Sequence, residues 1–543
     1  MTEVQQMADK IQLRRDTAAN WTTNNPTLSQ GEQGFETDTS KMKIGDGSTA
    51  WTGLDYFADT ASGGGSGGGS FEATASGTLA DGSTLVLNTD GTVSVVLEEG
   101  ESAGAGTSSV FETGDTKYVS ATFDSNSNKV VIAYQDDVNS KYGTAVVGTV
   151  TGKSISFGSP VVFASSYVET IKATFDSNSN KVVIVYIDRT NDLYRGHAVV
   201  GTVSGTSISF GSSVVFNSGQ TSNISTTFDS NSNKVVIAYT NNSNSFYGTA
   251  IVGTVSGTSI SFGSPDEFNE GQTGDISTTF DSNSNKVVIA YRNQSNSAQG
   301  EAKVATVSGT TIGFGSSTTF DSTQIRETST TFDSANNKVV IAYRDFSNSY
   351  RGKAIVGTVS GTGISFGSSV VFDSDTSSDV SATFDPVTSK VLIAYRDGGN
   401  SNYGTAIVGT VSGTGISFGS PDVFNSATTV HISSTFDSNA NKVVISYADY
   451  GNSSYGTSVV YQSVDFSTTN LTADNYIGIS NGAYADAATA TVQIVGSVDD
   501  AQTGLTVGQK YYVQTDGSLA TTADDPSVFA GTAVSATKLI IKG

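Results

Sequence analysis

Short apolar runs separated by polar residues fill most of this chain, and their length predicts β-strands rather than helices. One stretch shows the pattern, with the runs ISTTF at 276–280, KVVIAY at 286–291, GEAKVATV at 300–307, and TIGF at 311–314 leading to TTF at 318–320. The runs are joined by DSNSN, by a Ser/Asn-rich loop and by a Ser-Gly turn. Such residues favour turns, so the stretch predicts four consecutive antiparallel strands.

The same pattern recurs along the chain with a nearly constant period. The Phe of the Thr-Phe-Asp segment returns every 52 or 53 residues, at Phe123, Phe175, Phe228, Phe280, Phe332, Phe384 and Phe436. Four strands in about 50 residues are typical of one blade of a β-propeller, and four to eight blades close a ring. The sequence therefore predicts an all-β protein whose residues 106–466 form a seven-bladed β-propeller.

A second phenylalanine predicts how the ring closes. It precedes the first Phe by 12 residues in every copy, at Phe111, Phe163, Phe216, Phe268, Phe320, Phe372 and Phe424. The last copy has no equivalent of this strand after Tyr461. We therefore expect the segment around Phe111 to supply the outer strand of the last blade, because closure removes exposed sheet edges.

Strand direction assigns the loops to two faces. Turns between the first and second strands are nearly constant: each opens with Asp (124, 176, 229, 281, 333, 385 and 437) and is followed by Lys (129, 181, 234, 286, 338, 390 and 442). Loops between the second and third strands share the other face and vary between copies. Varied loops on a constant scaffold are where binding usually resides. The candidate binding residues there include Arg189, Tyr194, Arg195, Phe246, Tyr247 and Tyr450.

The constant Asp turn admits two interpretations. Asp124-Ser-Asn-Ser-Asn128 places oxygen-bearing side chains at alternate positions, as calcium loops do, but Asx side chains also stabilise hairpin turns. The sixth copy, Asp385-Pro-Val-Thr-Ser389, lacks the middle ligand and carries a Pro suited to a turn. The turn is the favoured interpretation, and no metal or other cofactor is expected.

Three arginines at one repeat position suggest a cationic site. Arg292, Arg344 and Arg396 are equivalent in blades four to six, and Arg326, Arg351, Phe346 and Tyr350 lie in neighbouring segments. Guanidinium groups bind carboxylates or phosphates through paired hydrogen bonds, so this cluster could hold an anionic sugar. The alternative is that each Arg pairs with its Asp two positions later or with an adjacent blade.

Composition narrows the classes of function. The 543 residues include 28 Lys and Arg against 51 Asp and Glu, a net charge of −23, which argues against binding to nucleic acid or anionic membranes. Cys is absent and the two His are far apart, so a thiolate site, a His-rich metal centre or a Ser-His-Asp triad is not expected. No signal peptide or membrane span is expected either.

The N-terminal segment carries a specific motif. Residues 11–57 contain IQLRR, TAANW, LSQGEQGFETDT and KIGDG followed by Trp51. This segment resembles the N-terminal domain of the major tropism determinant family of phage receptor-binding proteins. The resemblance implies that residues 1–58 form a trimeric β-prism that fixes the protein to the virion. So short a segment, with few large aliphatic residues, also needs association to bury a core.

The remaining segments flank the propeller. Residues 59–70 are a Gly/Ser linker, and residues 71–105, with an Asp90-Gly91 hairpin signal, are expected to be a small β module. Residues 467–543 lie beyond the repeat and are expected to form a separate β domain, similar to a C-terminal module of marine phage fibre and appendage proteins. The module's role is left open between a trimerising cap and a second binding tip.

These observations favour a virion structural protein over an enzyme. The expectation is a homotrimeric tail-fibre or appendage adhesin, assembled in the host cytoplasm, that contacts other virion proteins through its N-terminal domain and a host surface glycan or receptor through the variable face. Tyr343-Arg344-Asp345 and the segment 204–210 resemble parts of sialidase-type propellers, but the Asp of the Asp-box is missing and no loop presents a distinctive carboxylate pair. A polysaccharide-degrading tailspike and a purely structural connector remain the alternatives.

Overall fold

The computed structural model describes residues 14–39, 41–54, 56, 69–190 and 193–542. It is all-β, with 62% of residues in strands and 3% in helices. The chain divides into two compact units, one formed by residues 101–466 and the other by residues 1–100 with 467–543. Within the described ranges, no helix is long and apolar enough to cross a membrane. The predicted Gly/Ser linker lies, except for Gly69 and Ser70, outside the described residues.

The N-terminal segment is a three-stranded sheet with one short helix. Strand Gln33–Glu36 lies between Arg14–Asp16, which is parallel to it, and Met42–Ile44, which is antiparallel. Helix Ala18–Asn24 begins at Thr17, whose side chain accepts a hydrogen bond from the N–H of Asn20, and Trp51–Gly53 form a 3-10 turn.

A very small core holds this segment together. The rings of Trp21 and Trp51 stack with centroids 4.1 Å apart, and among the described residues of this segment Leu28 and Leu54 join them in the buried apolar cluster. The buried ammonium of Lys43 donates to the carbonyl oxygens of Trp51 and Leu54, at 2.9 and 2.5 Å. These four apolar side chains contribute little burial energy within one chain.

The segments before and after the repeat share a sheet, which the sequence pattern did not predict. Five antiparallel strands follow the order Ser70–Thr74, Thr489–Gln493, Tyr476–Ser480, Thr84–Leu87 and Val93–Val95. Residues 71–105 and 467–543, expected to be separate modules, therefore supply strands to one another. Neither segment could satisfy its strand edges alone, and pairing removes those edges.

A second five-stranded sheet completes this unit. Its order is Val498–Asp499, Leu539–Ile541, Val528–Ala533, Lys510–Val513 and Leu519–Ala520. Side chains of both sheets, among them Val86, Ile479, Val513 and Leu539, form one buried cluster. Two further short strands are Glu98–Glu101 and Phe466–Thr469.

Each copy of the repeat forms one antiparallel sheet, and the strands of all copies make a closed series. The second strands are Lys129–Asp136, Lys181–Asp188, Lys234–Asn241, Lys286–Asn293, Lys338–Asp345, Lys390–Asp397 and Lys442–Asp449. The third strands are Tyr142–Thr151, Arg195–Ser204, Tyr247–Ser256, Gln299–Ser308, Arg351–Ser360, Tyr403–Ser412 and Tyr455–Gln462. Short fourth strands follow at Ser154–Phe157, Ser207–Phe210, Ser259–Phe262, Thr311–Phe314, Gly363–Phe366 and Gly415–Phe418, and Gly104–Ala105 takes this place in the last sheet.

Long strands connect each sheet to the next. The first half of each pairs with the third strand of one sheet, and its second half pairs with the second strand of the following sheet. We call them linking strands: Ser109–Asp124, Val214–Asp229, Asp266–Asp281, Thr318–Asp333, Val370–Asp385 and Asp422–Asp437, with one copy divided into Val161–Ala164 and Val168–Asp176.

The predicted ring closure is confirmed. The strand that contains Phe111 pairs with the third strand of the last copy, with Val110 opposite Thr457. The Phe111 ring lies against Tyr134 of the first sheet, with centroids 5.2 Å apart. Every other copy repeats this contact between the Phe of one sheet and the buried Tyr of the next, at 5.2 or 5.3 Å.

The constant Asp turns are hairpin turns, as the sequence favoured. The Oδ1 atom of Asp281 accepts hydrogen bonds from the N–H groups of Asn283 and Ser284, at 2.9 and 3.0 Å. The equivalent Asp of every other copy accepts the same two bonds. In the sixth copy Asp385 accepts both bonds although Pro386 and Val387 follow it. The turn therefore does not need an oxygen-bearing side chain at the position of Val387.

Candidate ligand-binding face

One end of the sheets carries the variable loops. The second half of each linking strand begins at this same end. The consecutive strands of each sheet are antiparallel, so the loop from second to third strand and the crossing from one sheet to the next meet on the face opposite to the Asp turns. We call this end the variable face. It carries two sets of residues that have constant backbone geometry and varied side chains.

The first set lies in the loops, directly before or near the start of each third strand. These residues all have a left-handed backbone, with φ between 50° and 63° at Lys141, Tyr194, Phe246, Ala298, Tyr350, Asn402 and Ser454. We call them the loop positions. A bulky non-Gly residue rarely adopts this conformation, which costs about 1–2 kcal/mol for ordinary residues. The loops therefore keep one strained turn while changing the side chain that it displays.

Several of the predicted binding residues are accessible in these loops. The exposed fractions of Phe246, Tyr350 and Tyr450 are 46%, 37% and 44%. Tyr247 follows Phe246 at the start of a third strand and is only half-buried. Large aromatic side chains exposed on one face offer stacking surfaces of the kind that recognition sites use.

The second set lines the inside of the ring. In the second half of each linking strand the pairing register shifts, and the first residue of this β-bulge has φ between 46° and 56°. These residues, which we call the bulge ring, are Tyr118, Thr170, Asn223, Asp275, Glu327, Asp379 and His431. Bulges re-aim side chains and are frequent beside functional sites.

The bulge ring surrounds a cavity of about 260 Å³, which we call the central cavity. All seven members of the bulge ring line it, together with the apolar residues that follow them, such as Ile224 and Ile276, and Lys172. Every copy of the repeat thus contributes to one concave polar site. A signal for this site is present in the sequence, because these positions vary at a fixed place in an otherwise constant repeat.

The three equivalent arginines do not form a free cationic cluster. Each pairs with the bulge-ring carboxylate of its own sheet: Arg292 Nε with Asp275 at 2.5 Å, Arg344 Nη1 with Glu327 at 3.2 Å, and Arg396 Nη2 with Asp379 at 3.4 Å. The expectation that they hold a sugar acid is therefore corrected. Each Arg is paired, but not with the Asp two positions later or with an adjacent blade. Its partner lies 17 residues earlier, on the neighbouring strand of the same sheet.

Two of these three carboxylates also accept hydrogen bonds from the backbone of the next sheet. Glu327 Oε2 accepts from the N–H of Asp379 at 2.6 Å, and Asp379 Oδ1 accepts from the N–H of His431 at 2.8 Å. Burial raises the pKa of Glu327, and burial lowers the pKa of His431, so the imidazole is neutral near neutral pH. Both carboxylates therefore act as internal links between sheets.

A second group of candidate residues forms an aromatic and cationic patch. The guanidinium carbon of Arg326 lies 5.4 Å from the Phe346 ring centre, that of Arg344 lies 4.5 Å from Tyr350, and the two aromatic rings meet edge-on at 4.8 Å. Arg326 makes no ion pair with any described residue, whereas Arg351 donates through Nε to the carbonyl oxygen of Ser374 at 3.1 Å. The structure thus brings Arg326, Phe346 and Tyr350 together as the sequence predicted.

Arg189 belongs to a separate paired cluster. Its Nη1 atom donates to Glu169 at 2.7 Å and to the Tyr167 hydroxyl at 2.9 Å, and its other amino group contacts the Tyr194 hydroxyl. Arg195 lies nearby, beside a smaller cavity of about 230 Å³ that it lines with Asp188 and His197. Tyr167 and Glu169 were not predicted as site residues, because only the fold places them beside Arg189.

Comparisons with known proteins support part of the sequence interpretation. Residues 11–49 match the family model described as the major tropism determinant N-terminal domain, which confirms the resemblance seen in that segment. No curated protein matches the chain.

Several solved structures show a distant similarity to part of this chain. The BP39L lectin from Burkholderia pseudomallei has 7% identity and a TM-score of 0.49, over 66% of this chain and 100% of that chain. A protein of unknown function from Dyadobacter fermentans has 11% identity and a TM-score of 0.39, over 67% and 98%. AofleA from Arthrobotrys oligospora has 8% identity and a TM-score of 0.38, over 61% and 92%. With TM-scores below 0.5, these similarities support no inference about ligands.

Proposed function

We propose that this protein is a phage virion adhesin in which a seven-bladed β-propeller binds a host surface glycan through its variable face. The domain match at residues 11–49 supports a role in host tropism. The closed series of antiparallel sheets, with one sheet for each copy of the repeat, supports the propeller.

The observation that carries the proposal is the constancy of the backbone beneath varied side chains. The loop positions all have φ between 50° and 63°, yet they carry Lys, Tyr, Phe, Ala, Tyr, Asn and Ser. If these turns served only to connect strands, Gly or Asn would remove the strain of the left-handed conformation. Large aromatics at strained, exposed positions are better explained by contact with a partner.

Trimerisation through residues 1–58 would make weak contacts useful. Three propellers on one fibre raise avidity through effective concentration, without any new contact at each site. The small core of the N-terminal segment supports this arrangement, because Trp21, Leu28, Trp51 and Leu54 provide little apolar burial within one chain.

Competition for adsorption tests the proposal. The purified full chain should block adsorption of the phage to its host, and the triple variant Phe246→Asn, Tyr350→Asn, Tyr450→Ser should block at least tenfold less well. Asn402 and Ser454 already occupy loop positions, so the first two replacements suit the backbone. The control is Val387→Ser, which changes a residue that is 48% exposed on the opposite face. Equal blocking by all three proteins would contradict the proposal.

The proposed activity is binding without catalysis. Glu327 and Asp379 lie in the central cavity, but each is engaged by an Arg and by a backbone N–H group, which leaves neither poised for acid–base work. Incubation with host capsule or lipopolysaccharide should release no reducing ends. Release of reducing ends would instead support the polysaccharide-degrading alternative. A connector role predicts that the variable face is buried against another virion protein.

A further inference from the structure

Seven equivalent positions, one in each copy of the repeat, lie around the inside of the sheets, and six carry serine whereas one carries lysine. Six serines in equivalent positions each accept a hydrogen bond from the backbone N–H of the neighbouring linking strand, at 2.9 or 3.0 Å; they are Ser120, Ser225, Ser277, Ser329, Ser381 and Ser433. Lys172 occupies the seventh equivalent position. We call these six residues the serine ring. The scaffold itself therefore requires only a hydroxyl at this position.

Lys172 has no polar partner in the described part of the chain. Its side chain is exposed and lines the central cavity, and its ammonium makes no hydrogen bond or ion pair with any residue that the structure describes. The hydroxyl that would accept from the N–H of Thr226 is missing, so the lysine leaves one backbone hydrogen bond of the scaffold unmade. Stability therefore does not explain the presence of a lysine here.

Beside Lys172, one half of the cavity carries side chains that can donate hydrogen bonds to a ligand. The hydroxyls of Tyr118 and Thr170 also line the cavity, and neither bonds to another described residue. Burial raises the pKa of Tyr118, so its hydroxyl keeps its proton near neutral pH and can donate. Two hydroxyl donors and one ammonium are thus available to a ligand.

In the other half of the cavity, the negative charges of the carboxylates are neutralised by arginines of the same sheets. Asp275, Glu327 and Asp379 each pair with an Arg, and the Glu327 and Asp379 carboxylates also accept backbone hydrogen bonds. Their occupied oxygens leave little capacity for a cation, and no described group of acidic or His residues could hold a metal ion. The cavity can therefore still accept one negative charge, which the ammonium of Lys172 would neutralise.

We propose that the central cavity binds a single carboxylate-bearing sugar, with Lys172 contacting its carboxylate and Tyr118 and Thr170 contacting its oxygens. This inference rests on the proposed glycan-binding function and names its ligand class. The volume of about 260 Å³ lies just below the range of about 300–1,000 Å³ for drug-sized ligands, so one sugar ring enters rather than an oligosaccharide.

Calorimetric titration of the full chain tests the inference with three probes: methyl β-D-glucuronide, methyl β-D-glucoside and sodium acetate. The glucuronide should bind at least tenfold more tightly than either of the others. Lys172→Ser should weaken glucuronide binding by roughly ten- to a hundredfold, because a hydrogen bond to a charged group is lost. The substitution introduces the residue of the other six copies, so the fold should be retained. Lys286→Ser, which removes a turn lysine on the opposite face, should leave binding unchanged.

The outcomes separate this inference from the adhesin proposal. Equal binding of acetate and glucuronide would overturn it by showing a site for free anions, and unchanged binding by Lys172→Ser would overturn the role of the lysine. Absence of glucuronide binding would overturn the inference as a whole. In that case the adsorption competition, which uses host cells and no chosen sugar, still decides separately whether the protein is an adhesin.

Discussion

Closure of the ring by Phe111 allows a quantitative test, because the same contact exists within the chain at Phe268. Both side chains are buried, with exposed fractions of 6% and 0%, and each ring lies 5.2 Å from the Tyr of the next sheet. Each also covers a glycine of the third strand, Gly456 or Gly248, which approaches so closely that an added Cβ atom would lie 2.3 or 2.5 Å from the ring. The main difference between the two sites is that Phe111 lies on the strand that closes the ring.

Truncation to Ala should cost about 3–5 kcal/mol at either site, from lost burial and the cavity left behind. The consequences should differ in location. Phe268 lies on a linking strand that is covalently continuous with both neighbouring sheets, whereas the strand of Phe111 is held to residues 455–458 only by pairing and packing. Phe111→Ala should therefore open the last sheet locally.

Hydrogen exchange followed by mass spectrometry can locate the effect. In Phe111→Ala, amides of residues 109–115 and 455–462 should lose protection well before the remaining sheets. In Phe268→Ala, protection at 455–462 should stay as in the parent chain. Loss of protection in the same peptides in both variants would refute local closure by Phe111, as would unchanged protection at 455–462 in Phe111→Ala.

Three further predictions follow from single features. Lys172→Ser should raise the free energy of unfolding by about 1 kcal/mol at neutral pH by restoring a hydrogen bond. Chemical denaturation of the two proteins measures this difference, and equal stability would show that the missing hydrogen bond costs nothing. Phe246→Asn should increase stability by up to about 1 kcal/mol through relief of the left-handed backbone, yet weaken the block of adsorption; a loss of stability in thermal melts would argue against strain at this position. Light scattering should give the full chain three times its monomer mass of 56.0 kDa, and a variant without residues 1–58 should run as a monomer; a full chain of one-fold mass would contradict trimerisation.

The local features of the repeat could be predicted because they depend on residues close in sequence. The Asp turns follow from an Asx side chain bonding to N–H groups two and three residues later. The pairing of the Phe111 strand with the last copy also followed from the sequence, since one copy lacks a strand and one extra strand carries the matching Phe.

The candidate site was predicted less well, because side-chain pairing across a sheet depends on register. The sequence correctly placed Arg326, Phe346 and Tyr350 together, since they lie in adjoining segments. It could not show that Arg292 faces Asp275, because the β-bulge shifts the register between them. A free cationic cluster was therefore expected where the fold builds ion pairs.

By itself, the sequence determined an all-β chain with a period of 52 or 53 residues, constant Asp turns, a varied face and an N-terminal domain that resembles a phage tropism family. Only the tertiary structure decided that the bulge ring meets around one cavity, that Lys172 enters it without a counter-charge, and that residues 70–95 share a sheet with residues 476–493. The physical reason is distance along the chain: periodic local patterns fix strands and turns, whereas a cavity shared by seven copies exists only once the ring has closed.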